Sequence, residues 1–407
     1  MARGRATWLL YAAFAAMAFL LNGLGSVLAP LRSELGVTRG GVAFYPTLFA
    51  IGLVVVGLTG GSLVARSGRH AALSGSIGIL VTGGILFAVP GRAPTVVGVF
   101  LVGIGAALLI QLVPALLGAL HPGSPTASVG EVNGLASAVS ILAPLAVAAS
   151  LSIGLTWRVG YLVAPLIVLL LVAVPLSRAA LPRSPEGEAI ARPIARPPLF
   201  GRWFDLVLAV SVEFCMIFWA ASALADWHAA TAGQAPAVAS LFLVGMALSR
   251  SLATPITRRA GAGRGLMLGC IGLALAGFAI FWLAPGLAIA GAGLAMTGLG
   301  VALLYPITIS RLIGAWPQAP DRAAAWSVLG SGVAIGAAPF VLGRLSDTIG
   351  LRAAYLIVPA LLAGLALRAV QSLDELDHGE PELAGAERPR DHGEDRPQQQ
   401  HIGPNGT

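Results

Sequence analysis

Two ionisable side chains lie inside long apolar segments of this chain. Glu213 comes about ten residues after the start of a segment near residue 203, and Arg250 about eight residues before the end of another near residue 257. At a rise of 1.5 Å per helical residue, both lie about 12–15 Å from the same membrane boundary. Because a charge near the centre of a bilayer costs at least about 2.5–3.5 kcal/mol, we expect an ion pair or a shared water-filled cavity.

Two roles are open for this pair. In the first, Glu213 takes and releases a proton, while Arg250 assists that exchange or holds an anionic substrate. In the second, the pair is a buried structural salt bridge that locks two neighbouring helices together. The residue types and their depth are compatible with both roles.

The composition places these segments in a membrane. Of the 407 residues, 57% are hydrophobic and only 11% are charged, and the mean hydropathy is +0.84, whereas a soluble domain has about 25% charged residues. This excludes a soluble enzyme, a nucleic-acid-binding protein and a disordered chain. All 25 basic residues are arginine, and most of them lie between apolar runs, as signals of membrane topology do.

Motifs for enzymatic chemistry are missing from the sequence. All six histidines lie in predicted loops or in the C-terminal tail. Cys215 and Cys270 lie in apolar runs without a nearby histidine, so we expect neither a disulfide nor a metal site. A nucleotide-binding P-loop needs a lysine, and the chain has none. We therefore expect no enzyme activity, no cofactor, no metal, no nucleotide and no nucleic acid as a partner.

Long apolar runs recur and predict an all-α membrane protein with twelve transmembrane helices, since a spanning helix needs about 20 mainly apolar residues. The predicted spans are 7–29, 41–65, 71–90, 94–120, 130–154, 159–177, 203–226, 234–257, 265–284, 286–310, 323–342 and 351–370. The predicted domains are a six-helix bundle over 1–177, a cytoplasmic linker over 178–202, a second six-helix bundle over 203–370 and a disordered acidic tail over 371–407.

The distribution of arginines predicts the orientation of these helices. Fourteen arginines lie in segments on the side of the N-terminus, and six lie in loops on the other side. Cytoplasmic loops carry the excess of positive charge, so we expect a multi-pass protein of the plasma (inner) membrane with both termini in the cytoplasm. An even number of spans agrees with this orientation.

The two halves of the chain repeat each other. A first group of residues recurs 193 positions later: Phe49, Gly52, Arg66 and Gly68 as Phe242, Gly245, Arg259 and Gly261. A second group recurs 194 positions later: Arg158, Tyr161 and Pro165 as Arg352, Tyr355 and Pro359. Because the repeat unit has six spans, both copies share one orientation, which is an architecture that transporters use. Arg250 has no charged counterpart at Val56 or Gly57, and such a break in symmetry favours a site over a scaffold.

One loop carries a resemblance to a known family. The loop after the second span reads Gly61-Ser-Leu63-Val-Ala65-Arg66-Ser-Gly68-Arg69-His70. It resembles the signature G-x-L-x-D-R-x-G-R-R/K between helices 2 and 3 of the major facilitator superfamily, although Ala65 stands at the position of the acid. A similar string, Gly343-Arg-Leu345-Ser-Asp347-Thr-Ile-Gly350, precedes the last span, on the outer side by the predicted topology.

The resemblance implies the major facilitator fold and a gating loop between helices 2 and 3, formed by Gly61, Arg66, Gly68 and Arg69. In the family, the signature acid helps to latch the cytoplasmic side in one access state, so its loss puts that latch in doubt. The family lines a central cavity with helices 1, 4, 7 and 10, which carry Asn22, Gln111, Glu213, Trp219 and Tyr305 at mid-membrane depth. The alternatives are hydrogen bonds between helices for Asn22 and Gln111, and packing for Trp219 and Tyr305.

The sequence thus predicts a secondary active transporter that moves a small organic solute across the plasma membrane by alternating access. Proton-coupled efflux is the leading hypothesis, with the solute, the proton and the lipid bilayer as partners. A proton-coupled uptake symporter for a sugar or an organic acid is the alternative within transport. A transporter-like sensor that moves nothing is a third hypothesis.

Overall fold

A computed structural model of the protein describes residues 4–179, 181–182, 200–253, 255–256, 263–315 and 320–371. Most of the predicted linker and nearly all of the predicted acidic tail lie outside these residues, so both remain predictions. Within the described ranges the chain folds into helices that follow one another through short connections. In lipid every backbone polar group needs a partner within its own segment, and the Ala-, Leu- and Val-rich runs meet that need as helices.

The helices are numbered here in chain order. The run Arg39–Ala88 contains two of them, α2 before Gly68 and α3 after it. The others are α1 Arg5–Leu35, α4 Arg92–Leu120, α5 Pro125–Ser152, α6 Val159–Ser177, α7 Phe200–His228, α8 Gln234–Ser251, α9 Arg264–Leu283, α10 Leu287–Gly314, α11 Pro320–Ile349 and α12 Leu351–Gln371.

The predicted set of twelve spans is confirmed. Eleven helical stretches among the described residues are long and apolar enough to cross a membrane. The remaining helix is α8, which is 18 residues long and carries Ser240, Ser249 and Arg250. It occupies the place of the predicted eighth span, but it ends at Ser251 and not at residue 257, so Arg250 lies in its last turn.

Several helices extend beyond their predicted ends. The first was predicted to end at residue 29, but α1 continues to Leu35, and α11 continues from the predicted end at 342 to Ile349. The count of apolar residues detects only the part of a helix within the hydrocarbon region. Helical hydrogen bonding continues through polar residues such as Arg32 and Glu34, which have ordinary helix propensities.

The turn between α2 and α3 depends on a glycine. Gly68 has φ 80° and ψ 155°, a conformation that residues with a Cβ atom rarely adopt. Its place in the signature string is therefore explained by the backbone. Gly350, between α11 and α12, has nearly the same angles, φ 81° and ψ 155°.

Equivalent hydrogen bonds confirm the internal repeat. The Tyr161 hydroxyl donates to the carbonyl oxygen of Leu20 at 2.5 Å, and the Tyr355 hydroxyl donates to that of Cys215 at 3.3 Å. The arginines near these tyrosines also donate to carbonyl oxygens of the third helix of their own half, Arg158 to Ala88 and Arg352 to Trp282. Residues that repeat in sequence therefore make equivalent hydrogen bonds in both halves.

Equivalent close contacts between helices support the same conclusion. A Cβ atom added to Gly103 would overlap the carbonyl oxygen of Phe49, and one added to Gly298 would overlap that of Phe242. Small residues allow helix backbones to approach closely in membranes. The α2–α4 crossing and the α8–α10 crossing are thus built alike.

The halves meet along α1 and α7, α2 and α11, and α5 and α8. We call the end of the bundle where α1 begins the proximal end, and the end where α1 finishes the distal end. Gly25, in the distal half of α1, lies so near to α7 that an added Cβ atom would overlap the backbone of Ile217 and Phe218. The α1–α7 contact therefore brings backbone against backbone.

The close crossing of α2 and α4 yields a testable prediction. Substituting Gly103→Val should lower the free energy of unfolding by about 2 kcal/mol or more, because the new side chain would overlap the Phe49 backbone. Gly78→Val is the matched control, since Gly78 is exposed and has open space around its Cβ position. Thermal unfolding of the detergent-purified variants measures the difference, and equal stabilities would contradict the proposed packing role.

Candidate functional site

A cavity that is partly open to solvent lies between the two halves, and its lining residues lie around mid-depth. It encloses about 830 Å³, including the part that is open to solvent. Its lining combines apolar and polar side chains from five helices: Phe14, Met17, Ala18, Leu21 and Asn22 of α1, Ile110 of α4, Asn133, Ala136, Ser137 and Ser140 of α5, Glu213 and Phe214 of α7, and Leu243, Met246, Ala247 and Arg250 of α8.

The predicted charge pair forms on the wall of this cavity. Arg250 Nη2 donates to Glu213 Oε1 at 3.1 Å. The Glu213 side chain is 12% exposed and the Arg250 side chain 37% exposed. Both residues belong to the C-terminal half, so the pair joins α7 to α8 and presents charge towards the facing helices of the N-terminal half.

The opposite wall carries neutral polar groups. Asn22 Nδ2 donates to Ser140 Oγ at 2.9 Å and to the carbonyl oxygen of Ala18 at 3.0 Å. Ser140 Oγ in turn donates to the carbonyl oxygen of Ala136 at 2.7 Å. Asn22 therefore borders the cavity and also makes the hydrogen bond between helices that was the alternative expectation.

Three lining residues on α5 were missed by sequence reasoning. Asn133, Ser137 and Ser140 follow the i, i+4, i+7 spacing of one helix face. That spacing was available as a signal. It was passed over because the family resemblance assigns the cavity to helices 1, 4, 7 and 10, and α5 is not among them.

Three other predicted site residues are not among those that line the cavity. Trp219 is only 1% exposed, and its Nε1 donates to the carbonyl oxygen of Pro339 at 3.0 Å, so it packs α7 against α11. Gln111 is exposed and lies beside Gly60 of α2. Tyr305 of α10 is half-buried and close enough to interact electrostatically with Glu213 and Arg250. The sequence predicts how deep these residues lie along their helices. It does not predict which side of the helix faces the cavity, because that depends on packing.

The predicted gating loop lies at the proximal end. Gly68 makes the turn between α2 and α3, and Arg66 is exposed just before it. Arg69 begins α3 and has an interaction partner. Ala65 is exposed, so the position of the signature acid presents only a methyl group. Gly61 belongs to the helix before the turn.

A second cavity lies nearer the distal end, with Ser26, Pro30, Glu34, Ala221 and Ala225 among its lining residues. Its walls are mostly small and apolar. The carboxylate of Glu34 accepts hydrogen bonds from Arg158 at 2.6 and 2.8 Å and from Trp157 Nε1 at 3.2 Å. This charge is therefore neutralised within the N-terminal half, and the α1–α7 contact at Gly25 separates the two cavities.

One buried ion pair was not predicted. Asp205 of α7 is 6% exposed and pairs with Arg368 of α12, whose guanidinium also lies 5.6 Å from the Phe204 ring centroid. The pair joins the first and last helices of the C-terminal half. It does not line either cavity described above, which indicates a structural role.

The comparisons with known proteins agree on the architecture. The family model of the Major Facilitator Superfamily matches residues 8–312. A crystal structure of a bacterial homologue of the human lysosomal transporter Spinster, inward-facing and unoccupied, has a TM-score of 0.72 at 16% identity and covers 93% of this chain and 98% of that one.

Two further solved structures have the same fold. The nucleoside transporter NupG has a TM-score of 0.72 at 13% identity, covering 90% of this chain and 99% of that one. The E. coli fucose:proton symporter FucP has a TM-score of 0.60 at 17% identity, covering 90% and 98%. No curated protein matches the chain in sequence. With the family model matching well over half of its length, the chain belongs to the major facilitator superfamily.

Proposed function

We propose that this protein is a secondary active transporter that carries a small polar organic solute across the plasma membrane by alternating access, coupled to protons through Glu213. The leading direction is efflux. The observation that carries the proposal is the Glu213–Arg250 ion pair on the wall of a solvent-open cavity between the two halves. Tyr305 borders the proposed site through its electrostatic interaction with this pair, whereas Gln111 and Trp219 are not part of it.

Access from one side supports the alternating part of this proposal. The lining residues Phe14 and Asn133 lie about 12–14 Å from the proximal ends of their helices by the helical rise. Towards the distal end, Gly25 packs directly against the α7 backbone, which supports a passage that is closed on that side. With the proximal end in the cytoplasm, an exporter loads its solute in this state and an importer releases it.

The environment of Glu213 supports proton coupling. A buried carboxylate is tolerated while a cation neutralises it, and breaking such a pair leaves a costly uncompensated charge. If a solute takes Arg250, or if α7 and α8 separate during the cycle, Glu213 loses its partner. Taking up a proton is then the least costly way to keep the carboxyl group in place. Solute binding and proton binding are linked through one guanidinium.

The polar lining also favours a second candidate, uptake of a sugar or an organic acid. The Asn22 and Asn133 amides and the Ser137 hydroxyl match the hydroxyl groups of a sugar, and Arg250 matches a carboxylate. FucP is named as a fucose:proton symporter. Efflux and uptake differ in the direction of the gradients, so vesicles with imposed gradients distinguish them.

The first prediction concerns Glu213→Gln, which keeps the shape of the side chain but cannot release a proton. Solutes from panels of sugars, nucleosides and organic acids are first selected by thermal stabilisation of the purified protein. In proteoliposomes with an imposed pH gradient, the native chain should accumulate a selected solute, and a protonophore should abolish accumulation. The Glu213→Gln variant should still exchange solute down its gradient but should not accumulate it.

Glu34→Gln is the matched control, because Glu34 also pairs with an arginine but faces the distal cavity. It should accumulate solute as the native chain does. Full accumulation by Glu213→Gln would remove proton coupling through this residue. Failure of every solute in the panel to cross the membrane would reject transport and favour the sensor hypothesis.

The second prediction concerns Arg250→Gln. If the guanidinium binds solute, its loss should weaken binding about tenfold or more, as expected for hydrogen bonds to a charged group. Binding is measured by titration of the purified variant with the same selected solute. Arg158→Gln is the control, since Arg158 pairs with Glu34 near the distal end. Native affinity combined with lowered thermal stability in Arg250→Gln would show that the pair is a structural lock.

A further inference from the structure

At the distal end, an acidic residue of one half caps a helix of the other half. Asp347 lies near the end of α11, and its Oδ1 accepts the backbone N–H of Arg39 at 3.0 Å while its Oδ2 accepts that of Gly40 at 2.9 Å. These are two of the N–H groups that the first turn of α2 leaves without a helical partner. The carboxylate also lies at the positive end of the helix dipole. The cap therefore bonds the two halves directly.

The cap leaves no room for a side chain at position 40. Gly40 is buried, and an added Cβ atom would collide with the Arg344 side chain and with Asp347 Oδ2. Only a glycine at this position lets the carboxylate reach both N–H groups without a shift. The contact thus depends on a matched choice of residues in both halves.

Two further polar contacts between the halves lie near the same end of α2. Arg39 Nη2 donates to Asp226 Oδ1 of α7 at 2.6 Å. Thr47 Oγ1 donates to the carbonyl oxygen of Gly336 of α11 at 2.9 Å. Arg39 is therefore held twice, by its backbone to α11 and by its side chain to α7.

The proximal end of α2 differs. Leu58 is 54% exposed and Leu63 is 47% exposed, and Ala65 presents only a methyl group there. The string around Ala65 ends in the turn at Gly68, and the string Gly343–Gly350 ends in a turn of the same backbone geometry at Gly350. The two strings therefore share glycine and leucine positions and a turn, but only the distal one carries the acid.

We infer that Asp347 is the positioning residue that holds the distal end closed, so that the protein rests with its central cavity open at the proximal end. This inference rests on the proposed alternating access, because it requires a second state in which the distal end opens. It does not depend on the solute, on its direction or on protons. In the opened state α11 separates from α2. The Asp347 carboxylate and the two backbone N–H groups then form hydrogen bonds with water and no longer with one another.

The test measures the distance between two distal loops in the full-length protein in lipid nanodiscs. Spin labels are placed at Pro90→Cys and Pro285→Cys, which are exposed and lie in the connections after α3 and α9. Both native cysteines are buried, so labelling reports the introduced sites. The parent protein should show mainly the short distance, and Asp347→Asn should raise the ratio of long to short distances about tenfold.

Two variants make the result decisive. Glu34→Gln removes the same charge near the distal end but breaks a contact within one half only, and it should leave the distances unchanged. Gly40→Ala keeps Asp347 but displaces its carboxylate, and it should shift the distances as Asp347→Asn does, which covers a failure of Asp347→Asn to fold.

An unchanged distribution in both Asp347→Asn and Gly40→Ala would overturn the inference, as would an equal shift in Glu34→Gln. These outcomes are separable from a failure of the proposed function. A protein that shifts its distances but moves no solute would retain the latch and lose the transport proposal. If the protein transports solute but Asp347→Asn shows the same distances as the parent, the transport proposal is retained and the latch is lost.

Discussion

A charge buried among membrane helices is tolerated only where another charge neutralises it, and the rest of this structure is arranged around that constraint. Glu213 and Arg250 satisfy each other across 3.1 Å, in a cavity whose facing wall carries apolar side chains and neutral amides and hydroxyls. The facing half offers no second charge among the described lining residues. Whatever separates this pair must therefore bring its own compensation, either as a charged solute group or as a proton.

The other ion pairs of the described residues have different positions and different consequences. Glu34 with Arg158 and Asp205 with Arg368 each lie within one half, so they hold a bundle together without resisting its movement. Arg39 with Asp226 joins the two halves at the distal end, beside the Asp347 cap. The ion pairs of the described residues thus fall into three groups: pairs within one bundle, a pair between the bundles and a pair on the cavity wall.

Sequence reasoning reached the fold because its signals are local and repeated. Apolar length predicts spans, and the offsets that pair Tyr161 with Tyr355 and Phe49 with Phe242 mark residues that make equivalent contacts in both halves. The Glu213–Arg250 pair could also be predicted, because a charge buried in a membrane needs an oppositely charged partner, and the sequence offers these two residues at a similar depth.

The rest of the site depends on which way each helix faces, and composition does not determine that. Trp219 has the right depth for the cavity but is turned towards α11, where its indole N–H finds a carbonyl oxygen. Asn133 and Ser137 share one face of α5, which their spacing indicates, but that this face borders the cavity follows from the packing of α5 against α8. Asp347 was visible in a string that resembles the signature, but its contact with α2 joins residues more than 300 positions apart.

The seal between the two cavities is made of main chain. At Gly25 there is no side chain to swing aside, and the neighbour on α7 is the backbone of Ile217 and Phe218. A rotamer change cannot open such a contact, whereas a tilt of one entire bundle against the other can. Any gap between α1 and α7 at this level therefore requires whole helices to move, because no single side chain can make way.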